Sequence, residues 1–471
     1  MQTSPASDDR PQAALHDLLR TVPRRYRSPL LPPDLDAAVA AGTEATLAFA
    51  IESARAAGER AAPMPAALGD AFTAALAALI RRAMAPDGGD PVFQAQVLYS
   101  RDAQVRDWVQ VESTAPVDAR AVRAAVDAFA HPGKLRDMPE GARRDALSHL
   151  HALASAGEWR ALALEAESLG ALSIGNDAAL HTLVRDLAKH PALQRRITAE
   201  AMTALEAVRH YRALRARRVP AAGSDVALDQ GRAAAREGAQ AEQAAAEALG
   251  QVATFLNGLE GGERSTYRVL RSLLTPRVLS GGGDRSKEEW DAALVRSIGG
   301  GLCDVVLLAE VKAAPAAVTS DMPRLLRGLA RLAQADADAS FAFASVDGPV
   351  RLRGRSLRAL APLGPSLPAP VIYLCPAPAE SRPTLLGAAA KAVLLSEPAS
   401  LGFACALANG AAPPHASLAP VWEALPHEPR LRATLNQYDT ARRAREAMLY
   451  TGDLLAAVSQ AGSMRPRQSA P

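Results

Sequence analysis

"EEWDAALVRSIGGGLCDVVLLAEVKAA" (residues 288–314) sets two apolar runs on either side of three consecutive glycines. Glycine reaches the positive φ angles of a tight reversal without steric cost, so Gly299, Gly300 and Gly301 read as the turn of an antiparallel hairpin. The second run ends in "VVLLAEVK", where Glu310 and Lys312 fall two residues apart. Side chains alternate across a strand, so both point to one face of an otherwise apolar element. Burying such a pair costs several kcal/mol unless partners or a metal ion offset it.

Folding the chain about Gly300 makes facing residue numbers sum to about 600, which sets position 291 opposite about 309. Asp291 then faces Glu310 across neighbouring strands, with side chains roughly 5–6 Å apart. Asp304 lies farther along the same strand, roughly 20 Å from Glu310, and belongs to the turn end. Two carboxylates so close repel each other unless a cation lies between them. A hard divalent ion, Mg2+ or Mn2+, suits all-oxygen ligation of this sort. A lysine on the same strand can orient a water or neutralise charge on a phosphate oxygen.

Asp291, eighteen intervening residues and then Glu310-Val311-Lys312 resemble the D…(D/E)xK signature of the restriction-endonuclease-like, PD-(D/E)xK nucleases. "EEWDAALV" is similar to that family's common entry into its second core strand, with Trp290 where a proline is common. The resemblance covers about residues 263–346. It implies an αβββαβ core with the Asp on the second strand and the ExK on the third. It further implies that Asp291 and Glu310 ligate Mg2+ or Mn2+, with the Val311 carbonyl as a third ligand. Lys312 would position the attacking water or stabilise the transition state of metal-assisted phosphodiester hydrolysis. Many members carry a glutamate on the first helix, and Glu263 is the residue that matches it here.

Upstream of the hairpin, "ERSTYRVLRSLL" (263–274) reads as a helix and "PRVLSGGGD" (276–284) as a short segment after it. Downstream, a helix is expected over 320–338 and strands over 340–346 and 370–376. The order helix, three strands, helix, strand describes an α/β unit with a mixed sheet. A helix rich in Ala, Gln and Glu is expected over roughly 232–257, following a linker-like stretch at 217–231. From Pro33 to Arg218 apolar residues recur at three- and four-residue spacing, as in 70–84, 118–130 and 142–170, which predicts helices. The exception is 92–114, whose two alternating runs predict a hairpin. The fold expected is therefore mixed. A mainly α-helical domain covers 1–226, the nuclease-like α/β domain 227–380, a C-terminal helical extension 381–463 and a loose tail 464–471.

Apolar residues make up 49% of the 471, enough for a folded core. A formal net charge of +3 is too small to imply a nucleic-acid partner, so contact with a polyanion would rest on a local patch. Arg351, Arg353, Arg355 and Arg358 form such a segment close in sequence to the hairpin. They are the candidate contacts to a nucleic-acid backbone. The helical N-terminal domain is the expected surface for a protein partner. Cys303, Cys375 and Cys405 are far apart and read as reduced thiols of a cytoplasmic protein. No run reaches the roughly 18 apolar residues of a membrane span, so no membrane partner is expected. HExxH, GxSxG and GxxxxGK[ST] are absent, which argues against zinc-hydrolase, serine-hydrolase and P-loop chemistry. Two other readings stand beside the nuclease. One is a non-catalytic scaffold or regulator with a nuclease-like core. The other is a barrel-type lyase or synthase acting on a phosphorylated sugar through Glu310 and Lys312, since "LLAEVKAAPA" is similar to the strand-two motif of indole-glycerol-phosphate synthase.

Overall fold

In the computed structural model the hairpin forms from β2 (Glu289–Gly299) and β3 (Leu302–Val311). The structure describes residues 10–62, 65–171, 178–218, 225–260, 266–279 and 287–463, with the backbone alone for 218 and 225–231. Gly299, Gly300 and Gly301 have φ of 93, 59 and 74°, three successive left-handed residues that only glycine adopts without strain. The strands pair antiparallel through Ala292↔Ala309 and Leu294↔Leu307, and a bulge after Leu294 shifts the turn half to Arg296↔Asp304. That bulge and a second shift between Ser297 and Gly299 are one-residue departures from a ladder symmetric about Gly300.

β1 (Tyr267–Leu274) pairs antiparallel with the other side of β2. The far edge of β3 is shared by two strands, both parallel to it. β5 (Val350–Arg353) takes Leu302 and Cys303, and β6 (Val371–Cys375) takes Leu308 to Val311. β4 (Ser340–Phe343) joins β5 antiparallel, and β7 (Met448–Tyr450) runs parallel beside β6. The result is a mixed seven-stranded sheet that forks at β3. β3 is buried from Val305 onward, so its sequence is a continuous apolar run rather than an alternating one.

Both faces of the sheet are covered. The crossover helix Val318–Leu332 lays Val318, Met322, Leu325 and Leu329 on the face that carries Ala293, Val295 and Leu308. The other face, with Ala292, Leu294, Leu307 and Ala309, packs on Leu15, Leu249, Leu256 and Leu454. These come from the helices Arg10–Thr21, Asp225–Glu260 and Thr451–Ser463. Burying one leucine stabilises by roughly 1.5–3 kcal/mol, so this two-sided cover, more than the turn, holds β3 in place. Glu310 and Lys312 share parity with Leu308 and therefore face the crossover helix.

The mixed class is as expected, but several boundaries are not. Residues 267–274 form a strand rather than a helix, because Tyr267, Leu270 and Leu273 are buried where β1 lies against β2. The helix before it is Asp225–Glu260, longer at both ends than 232–257. β5 and β7 have four and three residues, too few to show a period in the sequence. Residues 92–114 lie in two helices, Pro91–Arg101 and Ala103–Ser113, instead of a hairpin. Asp90 Oδ1 accepts from the Val92 amide at 2.9 Å and Asp102 Oδ1 from the Val105 amide at 3.0 Å. These two caps start each helix and override the alternating pattern.

The chain divides into two compact units. One comprises Ile80–Ala222 and Leu401–Pro413, and its helices share a core that includes Val122, Val126, Leu150, Leu162, Val184 and Leu193. The other comprises Met1–Leu79, Gly223–Ser400 and Pro414–Pro471 and contains the whole sheet. This differs from four consecutive domains. Leu15, Leu18 and Leu19 near one end of the chain, and β7 and Leu454 near the other, complete the core of the sheet unit. The expected tail, 464–471, lies outside the described residues. The described sheet is mixed and forked, so the closed parallel barrel of the lyase reading is not present among the described residues. No single helix among them is long and apolar enough to cross a membrane.

Candidate functional site

Carried one residue beyond Ala292↔Ala309, the β2–β3 register sets Asp291 opposite Glu310. One ammonium group joins the two acids: Lys287 Nζ lies 3.1 Å from Asp291 Oδ1 and 2.6 Å from Glu310 Oε1. Lys312 Nζ reaches the same Glu310 oxygen at 2.7 Å and Asp321 Oδ1 at 3.3 Å. The Tyr373 hydroxyl, on β6, donates to Asp321 Oδ2 at 3.2 Å. The Val311 amide donates to Asp291 Oδ2 at 2.7 Å and fixes that carboxylate. Three carboxylates and two ammonium groups thus form one network, and Glu310, 2% exposed, is buried deepest.

Each group is positioned by a different part of the fold. β2 supplies Asp291, β3 supplies Glu310, the residue just after β3 is Lys312, and the first turn of the crossover helix supplies Asp321. Lys287 precedes β2, and its backbone amide donates to the Arg324 carbonyl of the crossover helix at 3.4 Å. Gly328 permits this close approach. A Cβ there would lie 3.0 Å from Lys287 Cβ, Lys287 O and Trp290 Cη2.

Burial, and after it the charge of Asp291, push the Glu310 carboxyl up to about 7, against the lowering pull of Lys287 and Lys312. Ionised, Glu310 leaves the network with three negative groups against two positive ones. Protonated, it balances them. Burial pulls the Lys312 ammonium down, but Glu310 and then Asp321 outweigh it and hold the group above its ordinary value. Burial and then the Asp321 charge raise the Tyr373 phenol, which therefore remains a donor.

Glu310 Oε2 also lies 2.6 Å from Lys287 Nζ, yet it accepts no hydrogen bond among the described residues. Glu310 Oε2 and Asp291 Oδ1 form an oxygen pair of the type a hard divalent cation takes. The Lys287 ammonium stands between them, so a cation enters only as that ammonium leaves. Among the described residues no three Asp, Glu, His or Cys side chains converge as a metal site. A main-chain carbonyl such as that of Val311 would therefore be needed to complete the shell.

Of the residues singled out by sequence, Asp291, Glu310, Val311 and Lys312 lie together. Glu263 lies outside the described residues. The acid on the preceding helix that senses the cluster is Glu242, whose carboxyl is raised by burial and then by the Asp291 charge. The four arginines are elsewhere. Arg351 is paired in register with Leu302, eight residues along β3 from Glu310, roughly 26 Å away. At that end Arg353 is ion-paired with Asp304, Arg351 donates to Ser340 Oγ at 2.7 Å, and Arg355 and Arg358 are exposed. Nearness in sequence misleads here because β5 joins β3 at the turn end, not at the end that carries Glu310.

Lys287, Asp321 and Tyr373 escaped the sequence reading. Lys287 sits in a charged run, Lys287-Glu288-Glu289, that resembles any solvated surface. Asp321 occupies a first helical turn, where an acid is favoured by the helix dipole regardless of function. Tyr373 looks like one more strand core residue. No protein-family model, no curated protein and no solved structure matches this chain.

Proposed function

We propose that Asp291, Glu310 and Lys312 form a phosphodiester-hydrolysing site of the PD-(D/E)xK kind, acting on nucleic acid with Mg2+ or Mn2+. One observation supports this above others. The two acids meet across β2 and β3 around a shared cationic group, at 3.1 and 2.6 Å, and the lysine two residues after the glutamate touches it. The order of Asp225–Glu260, β1, β2, β3 and Val318–Leu332, followed by strands that include β6 parallel to β3, fits the same reading.

In this reading Asp291 and Glu310, with the Val311 carbonyl, would hold the cation, which supplies Lewis-acid polarisation of a phosphoryl oxygen. The Val311 amide keeps Asp291 turned toward Glu310. Lys312 has three N–H donors, of which Glu310 and Asp321 engage two. The third, without a partner among the described residues, can orient a water or meet a phosphate oxygen. Tyr373 steadies Asp321 and, through it, Lys312. Glu310 has to lose its proton before it can ligate, so activity rises as pH rises through about 7. Arg351, Arg355 and Arg358, at the turn end, would touch the backbone of a long substrate rather than the scissile phosphate.

Lys287 favours a second reading. Its ammonium already bridges the two acids, as expected of a scaffold or regulator that retains the constellation without the chemistry. A cleavage screen of single- and double-stranded DNA and RNA with Mg2+ or Mn2+ separates the two. For a nuclease, the wild type cleaves and Asp291→Ala and Lys312→Ala each lose about 100-fold or more in rate. Lys287→Met then retains cleavage with tighter cation binding. For a scaffold, the wild type is inert, and Lys287→Met binds Mn2+ without cleaving. Undiminished cleavage by both Asp291→Ala and Lys312→Ala ends the nuclease reading.

A further inference from the structure

The sheet unit contains a cavity of about 630 Å3 whose lining includes none of the carboxylate network. That volume falls within the roughly 300–1,000 Å3 of small-molecule sites. Its walls are the Ser28–Pro29 segment, the first turns of the crossover helix, the helix Ala388–Ser396 and the helix Gln437–Glu446. The space exists because facing residues are small, with Ala388, Ala389 and Ala390 on one wall and Ala441 on another. Hydrogen bonds brace the walls. The Tyr438 hydroxyl donates to Pro29 O at 3.0 Å, and the Gln437 side chain spans Leu385 O at 3.0 Å and the Gly387 amide at 3.3 Å.

Gln437, Tyr438, Ser320 and Arg445 of the lining have partners, but two of its hydroxyls do not. Thr434, 1% exposed, and Ser28 both line it, and neither hydroxyl oxygen has a hydrogen-bond partner among the described residues. Interiors leave few buried hydroxyls unpaired, because such groups are costly. Both oxygens are turned away from the open space, and a turn about χ1 brings each to the cavity, since helical threonine uses two rotamers and serine three. Pro323, inside the crossover helix, has no N–H, so the carbonyl of Thr319 on the same wall loses its helical partner. Arg445 is the one charged side chain of the lining, and Glu380 pairs with it at 2.6 Å. The lining therefore presents hydrogen-bonding groups without net charge in an apolar space.

We infer that this cavity binds an uncharged, mainly apolar small molecule that carries a hydroxyl, carbonyl or amide group able to pair with Thr434 and Ser28. The inference does not depend on the nuclease reading. The test is a fluorescence titration of the full chain with N-phenyl-1-naphthylamine, a neutral apolar probe with one N–H donor. Saturable binding of one probe per chain is expected. Ala441→Trp fills the space and weakens binding about ten-fold or more, and Ala389→Leu serves the same purpose should the tryptophan variant fail to fold. Thr434→Val keeps the side-chain shape, leaves Tm unchanged or higher, and weakens binding about two- to ten-fold. Absence of saturable binding by the wild type overturns the proposal. So does binding that is unchanged in Ala389→Leu and Thr434→Val, or tighter binding of the sulfonated probe 1-anilinonaphthalene-8-sulfonate at the same site.

Discussion

The two ends of the β2–β3 hairpin carry the same kind of contact in opposite surroundings. At the turn end Asp304 meets Arg353, with side chains 21% and 41% exposed. At the open end Glu310 is 2% exposed and meets two ammonium groups. An ion pair that water can reach is worth about 0–1 kcal/mol, because solvent screens it. A buried acid is governed by desolvation instead. Glu310 is pushed up to about 7 although two cations oppose the shift. Burial, more than the number of partners, separates a solvent-screened contact from an acid whose ionisation is shifted.

The largest contrast is expected from removing the acid at each end. Glu310→Ala leaves Lys287 and Lys312 close together with fewer counter-charges, and should cost roughly 3 kcal/mol of unfolding free energy. Asp304→Ala should cost at most about 1 kcal/mol. Urea denaturation of the two variants measures both, and equal losses would contradict the role given to burial.

A pH series compares the same ends with an effect of up to about 3 kcal/mol. The Glu310 carboxyl lies at about 7 in the folded chain against an ordinary 4.5. Between those values the folded chain keeps a proton that the unfolded chain has lost. The contribution of Glu310 to stability therefore falls as pH rises through this window. Tm measured from pH 5 to pH 8 should show that decline in the wild type and in Asp304→Asn, and a flatter profile in Glu310→Gln.

Glycine substitutions give the smallest contrast, and for different causes. At Gly328→Ala the new Cβ meets Lys287 and Trp290 at 3.0 Å, an overpacking cost of about 1–3 kcal/mol. At Gly300→Ala nothing stands within 4 Å, but φ is +59°, so the cost is conformational, about 1–2 kcal/mol. Thermal unfolding measures both. Second-site relief of Gly328→Ala by Lys287→Gly, which removes the Cβ that the new methyl meets, would show that part of the clash lies at that atom.

Much of the candidate site was legible in the sequence, and its partners were not. Alternation and a glycine turn sufficed to bring Asp291 to Glu310 within one residue of register. The same rules misplaced 92–114, where Asp90 and Asp102 cap helices, and 267–274, where a period close to that of a helix is buried as an outer strand of the sheet. Closeness in sequence made Arg351 to Arg358 candidate contacts, but β5 binds the opposite end of β3 from the acids.

Local chemistry decided the bend at Gly299–Gly301, since only glycine accepts three left-handed residues in succession. It also decided the common face of Glu310 and Lys312, since strand side chains repeat every two residues. Packing decided the rest. β6 rather than β5 lies beside Glu310, and the crossover helix brings Asp321 to Lys312 and leaves space at Gly328 for Lys287. Those choices follow from burial free energy summed over residues far apart in the chain, which no short spacing records.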